Sequence, residues 1–193
     1  MQEGERMKLV HICSYFNTSS LYKNLFEKLK DFEVTQEVFI PLYKNTDISP
    51  RDYGTVRQKE KSNGDLKYIY IECLSKVERF FLLYRVNKLC NILLNNINLD
   101  ENSILHGHSL FANGGICYLV NKKRKCKYIT AVRNTDLFIY SKFPFYRFFA
   151  KLIIKRAEKI VFISYSLKEK FLHNVQDKEL KELIYEKGIV IPN

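Results

Sequence analysis

The sequence predicts an α/β domain built on a mainly parallel sheet with helices on both faces. Three observations predict it. Runs rich in β-branched and aromatic residues alternate with segments of helical apolar spacing through most of the 193 residues, the pattern of strands joined by crossover helices. One such run, KIVFIS at 159–164, shows no polar–apolar alternation, as a strand covered on both faces requires. The composition, 46% hydrophobic and 27% charged, supplies a core that folds without disulfides or metals. It also excludes disordered, collagen-like, coiled-coil and low-complexity chains.

The first strand is MKLVHIC at 7–13, followed by the polar loop SYFNTSS. A helix follows from about Ser20, with Leu21, Leu25, Phe26 and Leu29 at helical spacing and Asn17 to Ser20 as cap candidates. QEVFIPL at 36–42 reads as a strand stopped by Pro41, residues 43–64 as polar loop, and LKYIYIEC at 66–73 as a third strand. Residues 76–97 carry the strongest helix signal, with Leu83, Val86, Cys90, Leu93 and Ile97 at 3–4–3–4 spacing. A short strand at 103–106, a polar turn and a helix from Asn113 follow, then the strand KYITAV at 127–132. Residues 133–140 read as a strand-end loop, and 144–157 as a helix with Pro144 near its start, where a missing N–H costs little. The strand at 159–164, helices at 166–173 and about 177–186, and the strand GIVIP at 188–192 complete the chain.

Cys13, Cys73, Cys90, Cys117 and Cys126 are odd in number, irregularly spaced and mostly set in apolar runs. Reduced, buried thiols fit this better than a disulfide framework or a zinc site. No apolar run reaches the ~18 residues of a membrane-spanning helix, and the N-terminus lacks a secretory h-region. The expectation is a cytoplasmic protein, possible natural starts being Met1 and Met7. Residues 121–170 hold 14 basic and three acidic residues, which accounts for the whole net charge of +11. One basic face of this kind addresses phosphate, nucleic acid or an anionic membrane, or is simply a solvated lysine-rich surface.

Ligands of open α/β sheets bind at the carboxyl ends of the strands, so the loops there matter most. SYFNTS at 14–19 has no glycine and cannot be a dinucleotide fingerprint or a P-loop. Its Ser14, Asn17 and Thr18 can hold a sugar or an anion, or merely cap the helix. His106 and His108 share one side of an extended chain, but no third ligand stands at a familiar spacing, so no metal is assigned. A core-satisfied His106 and a pocket-facing His108 is the preferred reading. Gly114 and Gly115 open a helix, where they serve an anion or tight helix–strand packing. Arg133, Asn134, Thr135 and Asp136 leave a strand as a dense set of hydrogen-bonding groups suited to sugar hydroxyls; a local Arg–Asp pair with an Asx cap is the alternative. Arg147, Lys151 and Lys155 form one row on a helix rich in aromatics, which either lies on an anionic bilayer or is an ordinary surface helix. No Ser-His-Asp or Cys-His set can be placed by spacing, and Asp136 is the only acidic residue between Glu101 and Glu158.

From about residue 103 onward the chain resembles the N-terminal half of family 4 retaining glycosyltransferases of GT-B fold. The matching residues are His106 and His108, then Thr130, Arg133, Thr135 and Asp136. They continue with Ala157, Glu158 and Lys159, then Ser164 and Lys168, and end with Ile191, Pro192 and Asn193. Two departures stand out: the first loop lacks the usual glycines, and Asn134 replaces a glycine. The resemblance implies that residues 1–193 form a single Rossmann-like acceptor-side domain, the nucleotide-sugar domain with its Glu-x7-Glu motif lying outside this chain. It implies His108 at the reacting sugar as the catalytic residue, with Arg133, Thr135 and Asp136 lining the acceptor side; Ser14, Asn17 and Thr18 of the first loop, and Asn134 where the family has glycine, are the further substrate-binding candidates read from the residues themselves. It further implies no cofactor and no metal, the nucleotide-sugar being a substrate, and a glycan or lipid-linked acceptor of cell-surface polysaccharide synthesis. Arg147, Lys151 and Lys155 would hold the inner face of the membrane. This half alone would not catalyse transfer. The competing class is a stand-alone α/β module for an anionic membrane or nucleic acid. Nucleic acid is disfavoured by the lack of RRM, KH, zinc-finger or helix-turn-helix signatures.

Overall fold

The computed structural model describes residues 6–14, 16, 20–44 and 61–192. It is an α/β fold in which seven strands are hydrogen-bonded in the order β3-β2-β1-β4-β5-β6-β7. The strands are β1 (Met7–Ile12), β2 (Val34–Tyr43), β3 (Leu66–Leu74), β4 (Ser103–Gly107), β5 (Lys127–Val132), β6 (Lys159–Phe162) and β7 (Gly188–Val190). The helices are α1 (Ser20–Leu29), α2 (Leu82–Asn96), α3 (Asn113–Arg124), α4 (Asn134–Lys142), α5 (Pro144–Arg156), α6 (Tyr165–Asn174) and α7 (Lys178–Lys187). The expected alternation of strand and helix is therefore present. The chain divides into two compact units, Met1–Leu105 and His106–Asn193.

In the first unit β2 runs parallel to β1, from Met7↔Val34 to Ile12↔Phe39, and parallel to β3 on its other side. Pro41 does not stop β2; it pairs with Ile71 and the strand continues to Tyr43. The reason lies in the register. The Phe39 carbonyl accepts from the Cys13 N–H, so residue 41 turns its missing N–H toward the same side, beyond the end of β1. No ladder bond is lost there. Cys13, Phe16, Tyr22, Phe26, Val38, Ile40, Leu42 and Leu66 form the unit's core.

The helix expected over 76–97 is broken. Lys76–Arg79 form a 3-10 turn, closed by Glu78, which accepts from the Ser75 N–H at 2.9 Å and from Lys88 Nζ at 2.6 Å. The α-helix starts only at Leu82. Val86, Leu89, Cys90 and Leu93 are its buried stripe, while Leu83, expected in that stripe, is exposed. The expected loop at 43–64 falls largely on residues 45–60, outside the described residues.

In the second unit β6 lies parallel to β5 and to β7. Ile116, Cys117, Val120, Tyr128, Ile153, Ile154, Phe162 and Phe171 are buried. Ser164 caps α6 by accepting from the Leu167 N–H, and Asp177 caps α7 by accepting from the Leu180 N–H. β6 is shorter than expected and alternates: Ile160 and Phe162 are buried, Val161 is half-buried and Lys159 is exposed. Its neighbour β7 is only three residues long, so full cover on both faces is not built there. The segment expected as loop after β5 is instead helix α4. All five cysteines are buried and none is in a disulfide. Among the described residues no helix is long and apolar enough to cross a membrane.

Candidate functional site

The strand-end residues of the second unit are held together by one buried carboxylate. β5 ends at Val132, Arg133 caps α4, and Asp136 sits in the helix's first turn. Asp136 Oδ2 accepts from the Arg133 N–H at 2.9 Å and from the Leu110 N–H at 3.0 Å, and Oδ1 accepts from the Phe111 N–H at 3.2 Å. The loop after β4 is thus bonded to the turn after β5 through a side chain that is 3% exposed. Burial pushes the Asp136 carboxyl up to about 6, against the three N–H bonds and the nearby Arg133 guanidinium.

A second set of bonds runs through Ser109. Its carbonyl accepts from the Gly114 N–H at 2.7 Å and from Thr130 Oγ1 at 3.2 Å, and its Oγ accepts from the Asn113 N–H at 3.2 Å. Two glycines permit this closeness. A Cβ on Gly107 would stand 2.8 Å from the Gly114 nitrogen, and one on Gly114 would stand 2.4 Å from Thr130 Oγ1. Strand β4, the first turn of α3 and strand β5 therefore approach with no room for a methyl group. This supports the packing reading of Gly114.

Arg133 is half-buried, and its Nε donates to the His108 carbonyl at 3.1 Å. Asn134 and Thr135 are exposed at the start of α4. The rings of His106 and His108 lie 4.0 Å apart between centroids. Their expected roles are reversed: His108 is 1% exposed, while His106 is half-buried. Burial, and secondarily Arg133, lowers the His106 imidazole to about 4, so it is neutral at physiological pH.

The polar set expected from the sequence is thus brought together but sorted. Arg133, Asn134 and Thr135 stand at the accessible edge, with His106 close by near the end of strand β4. Asp136 turns inward onto backbone N–H groups and so positions this edge rather than presenting its carboxylate to a ligand. His108 contributes its carbonyl to Arg133. Ser14 is half-buried, and Asn17 and Thr18 lie outside the described residues. Ser109 and Thr130 were not anticipated as bonding nodes; the small residues Gly107 and Gly114 flanking that loop are the signal that would have found them.

Arg147, Lys151 and Lys155 are placed against the body of the second unit. Lys151 Nζ pairs with Asp177 and Glu179, both at 2.7 Å, and Lys155 Nζ with Glu179 at 2.9 Å. Arg147 donates to the Tyr140 carbonyl through Nε and to the Ser141 carbonyl through Nη2. The row lines a groove of about 470 Å³ shared with Gln176, Asp177 and Leu180. The resemblance residues Ser164 and Lys168 are structural here as well. Ser164 is a helix cap, and Lys168 Nζ donates to the Gly188 carbonyl at 2.7 Å.

No family model and no curated protein matches the sequence. Solved structures do match the fold. A crystal structure of a UDP-N-acetylglucosamine 2-epimerase superposes with a TM-score of 0.57 at 11% identity, over 96% of this chain and 48% of that one. A structure named as trehalose-6-phosphate from E. coli, bound with UDP-2-fluoro glucose, superposes with a TM-score of 0.55 at 13% identity, over 86% and 42%. The chain spans less than half the length of either structure. At these identities the likeness establishes the fold: a Rossmann-like α/β sheet matching one half of a GT-B architecture.

Proposed function

We propose that this chain is the acceptor-side half of a GT-B glycosyltransferase, in which a sugar passes from a nucleotide-sugar to a glycan or lipid-linked acceptor. The observation that carries the reading is the accessible Arg133-Asn134-Thr135 edge, set at the carboxyl end of β5 and fixed from beneath by Asp136. Ligands of open α/β sheets gather at that end of the strands. A guanidinium, an amide and a hydroxyl on one turn match a polyol, whose hydroxyls both donate and accept. His106, neutral and half-buried beside this edge, is available as a hydrogen-bond partner for a sugar hydroxyl. His108 holds Arg133 through its carbonyl. The names of the two fold relatives, one an epimerase of a UDP-sugar and one bound with a UDP-sugar analogue, support sugar nucleotides as the reaction's currency. Synthesis of a cell-surface polysaccharide is the setting this reading carries.

A second reading, epimerisation at C2 of a UDP-sugar, is favoured by the match that extends over 96% of the chain. One experiment separates the two. The reading frame is followed beyond Asn193, the whole protein is expressed, and UDP-sugars are supplied with and without oligosaccharide or lipid-linked acceptors. Transfer with retention at the anomeric carbon, dependent on acceptor and lost in Arg133→Ala, is the expected result. Conversion of UDP-N-acetylglucosamine without any acceptor would replace the first reading by the second. Neither activity would refute both.

A further inference from the structure

We infer that the basic end of the second unit, where β5 and β6 begin, docks an acidic segment of a partner protein. Five of the six residues from Lys122 to Lys127 are cations, and Arg156 and Lys159 bring the set to seven. All seven are exposed. Hydrogen bonds and strand register gather them in one place. Asn121 Nδ2 donates to the Cys126 carbonyl at 2.9 Å, and Arg156 Nη1 donates to Asn121 Oδ1 at 3.1 Å. Lys159 pairs in the sheet with Ile129, which stands two residues along β5 from Lys127, so both lysines leave the same face. Glu158 is the only carboxylate among residues 121–135 and 151–159.

On α5 the chain offsets its own charge, because Lys151 and Lys155 pair with Asp177 and Glu179. Among the described residues no carboxylate pairs in this way with Lys122, Arg124, Lys125, Lys127, Arg156 or Lys159. Helix dipoles favour the cations that end α3 and α5. They do not account for Lys125, which lies beyond α3, or for Lys127 and Lys159, which open strands. Lys125 moreover holds φ 61°, a left-handed conformation that glycine adopts at lower cost. The charge complementarity calls for a polyanion, and a peptide fits better than nucleic acid. The carbonyls of α3's final turn lie past the helix's own N–H donors; a peptide brings N–H groups together with its carboxylates, whereas a DNA backbone offers only acceptors. Tyr118 and Tyr128, the rings of this region, are buried and so cannot stack a base. The surface sits at the opposite end of β5 from the Arg133 edge, and the inference does not depend on the sugar chemistry proposed above.

The test is fluorescence anisotropy of a labelled decaglutamate peptide titrated with the 193-residue chain at physiological salt. Duplex DNA of equal charge and phosphatidylglycerol vesicles serve as competitors. The peptide is expected to bind, less tightly as salt is added, and to be displaced poorly by either competitor. Lys122→Glu with Lys127→Glu should lower the affinity about tenfold. These side chains are exposed, so circular dichroism should stay unchanged. Lys125→Gly should also bind less tightly and yet melt higher, a pairing that a purely structural lysine would not give. Lys151→Gln with Lys155→Gln should leave the affinity intact. Three results would overturn the inference: no binding at physiological salt, undiminished binding by either variant of the basic end, or an equal loss in the Lys151/Lys155 variant. Ready displacement by the DNA or the vesicles would also overturn it, assigning the basic end to that polyanion.

Discussion

Two polar clusters of the second unit look alike in sequence and differ in physics. One is Arg133 to Asp136 with the loop that Asp136 holds; the other is the α5 row with the carboxylates at the start of α7. In the first, a single carboxylate that is 3% exposed satisfies three backbone N–H groups from two separate segments. In the second, Lys155 and Glu179 are each exposed, and the ions meet in water. Burial makes the first cluster costly to break, responsive to pH and able to present its neighbours in fixed positions. Solvent screening makes the second expendable. A set of charged residues therefore reveals its role only through what lies beneath it.

The largest expected effect follows from removing the buried acceptor. Asp136→Ala leaves three N–H groups without this acceptor, those of Leu110 and Phe111 buried and that of Arg133 part-buried, and should cost about 3–5 kcal/mol in urea unfolding. Asp136→Asn keeps one acceptor oxygen and should cost distinctly less. Equal, small losses for both would show that the loop is held by something else.

Next is the close approach beside it. Gly114→Ala places a methyl 2.4 Å from Thr130 Oγ1 and 3.1 Å from the Ser109 carbonyl, with an expected loss of about 1–3 kcal/mol. In a double-mutant cycle with Thr130→Ala, the combined loss should fall short of the sum, since the second change vacates the contested space. Strict additivity would contradict the packing described.

The pH dependence is a smaller and more specific test. His106 titrates near 4 in the fold against an ordinary 6.5, so the unfolded chain binds the extra proton between these values and stability rises with pH there. Asp136 titrates near 6 against 3.8, so the folded chain binds the extra proton and stability falls as pH rises through that window. The two slopes oppose each other across their overlap. Stability of His106→Gln should therefore decline as pH rises through the overlap, and that of Asp136→Asn should climb, each relative to the parent. Parallel curves for all three proteins would remove both assignments.

The smallest effect belongs to the other cluster. Lys151→Gln with Lys155→Gln should barely move the melting midpoint, and the residual shift should vanish in about 1 M salt, where the screening length is near 3 Å. A loss comparable to that of Asp136→Ala would erase the contrast between the clusters.

Much of the fold was legible because its strands and most of its helices bury apolar residues at their own periods. The misreadings have local causes. Helix α4 buries only Asp136 and Tyr140, four apart, and leaves Phe138 in solvent, so no apolar stripe marks it. Pro41 reads as a strand stop unless the end of β1 is known. Glu78 folds back on Ser75 and delays α2, a choice that helical spacing alone does not reveal. At the candidate site the residue types were legible and their orientations were not. A first-turn carboxylate that caps a backbone and one that binds a sugar are the same letter at the same spacing. The swap of burial between His106 and His108 has the same origin: strand alternation places the two on one side and does not say which is covered.

The measurement that tests the central claim most directly is a titration of the ¹⁵N-labelled 193-residue chain, followed by amide chemical shifts. The ligands are acidic and neutral oligosaccharides, UDP-glucose and UDP-N-acetylglucosamine. The account predicts shifts centred on Arg133, Asn134 and Thr135 with an oligosaccharide, lost in Arg133→Ala, and weaker or no response to the nucleotide-sugars. Shifts confined to other surfaces, or an unchanged response after Arg133→Ala, would contradict it.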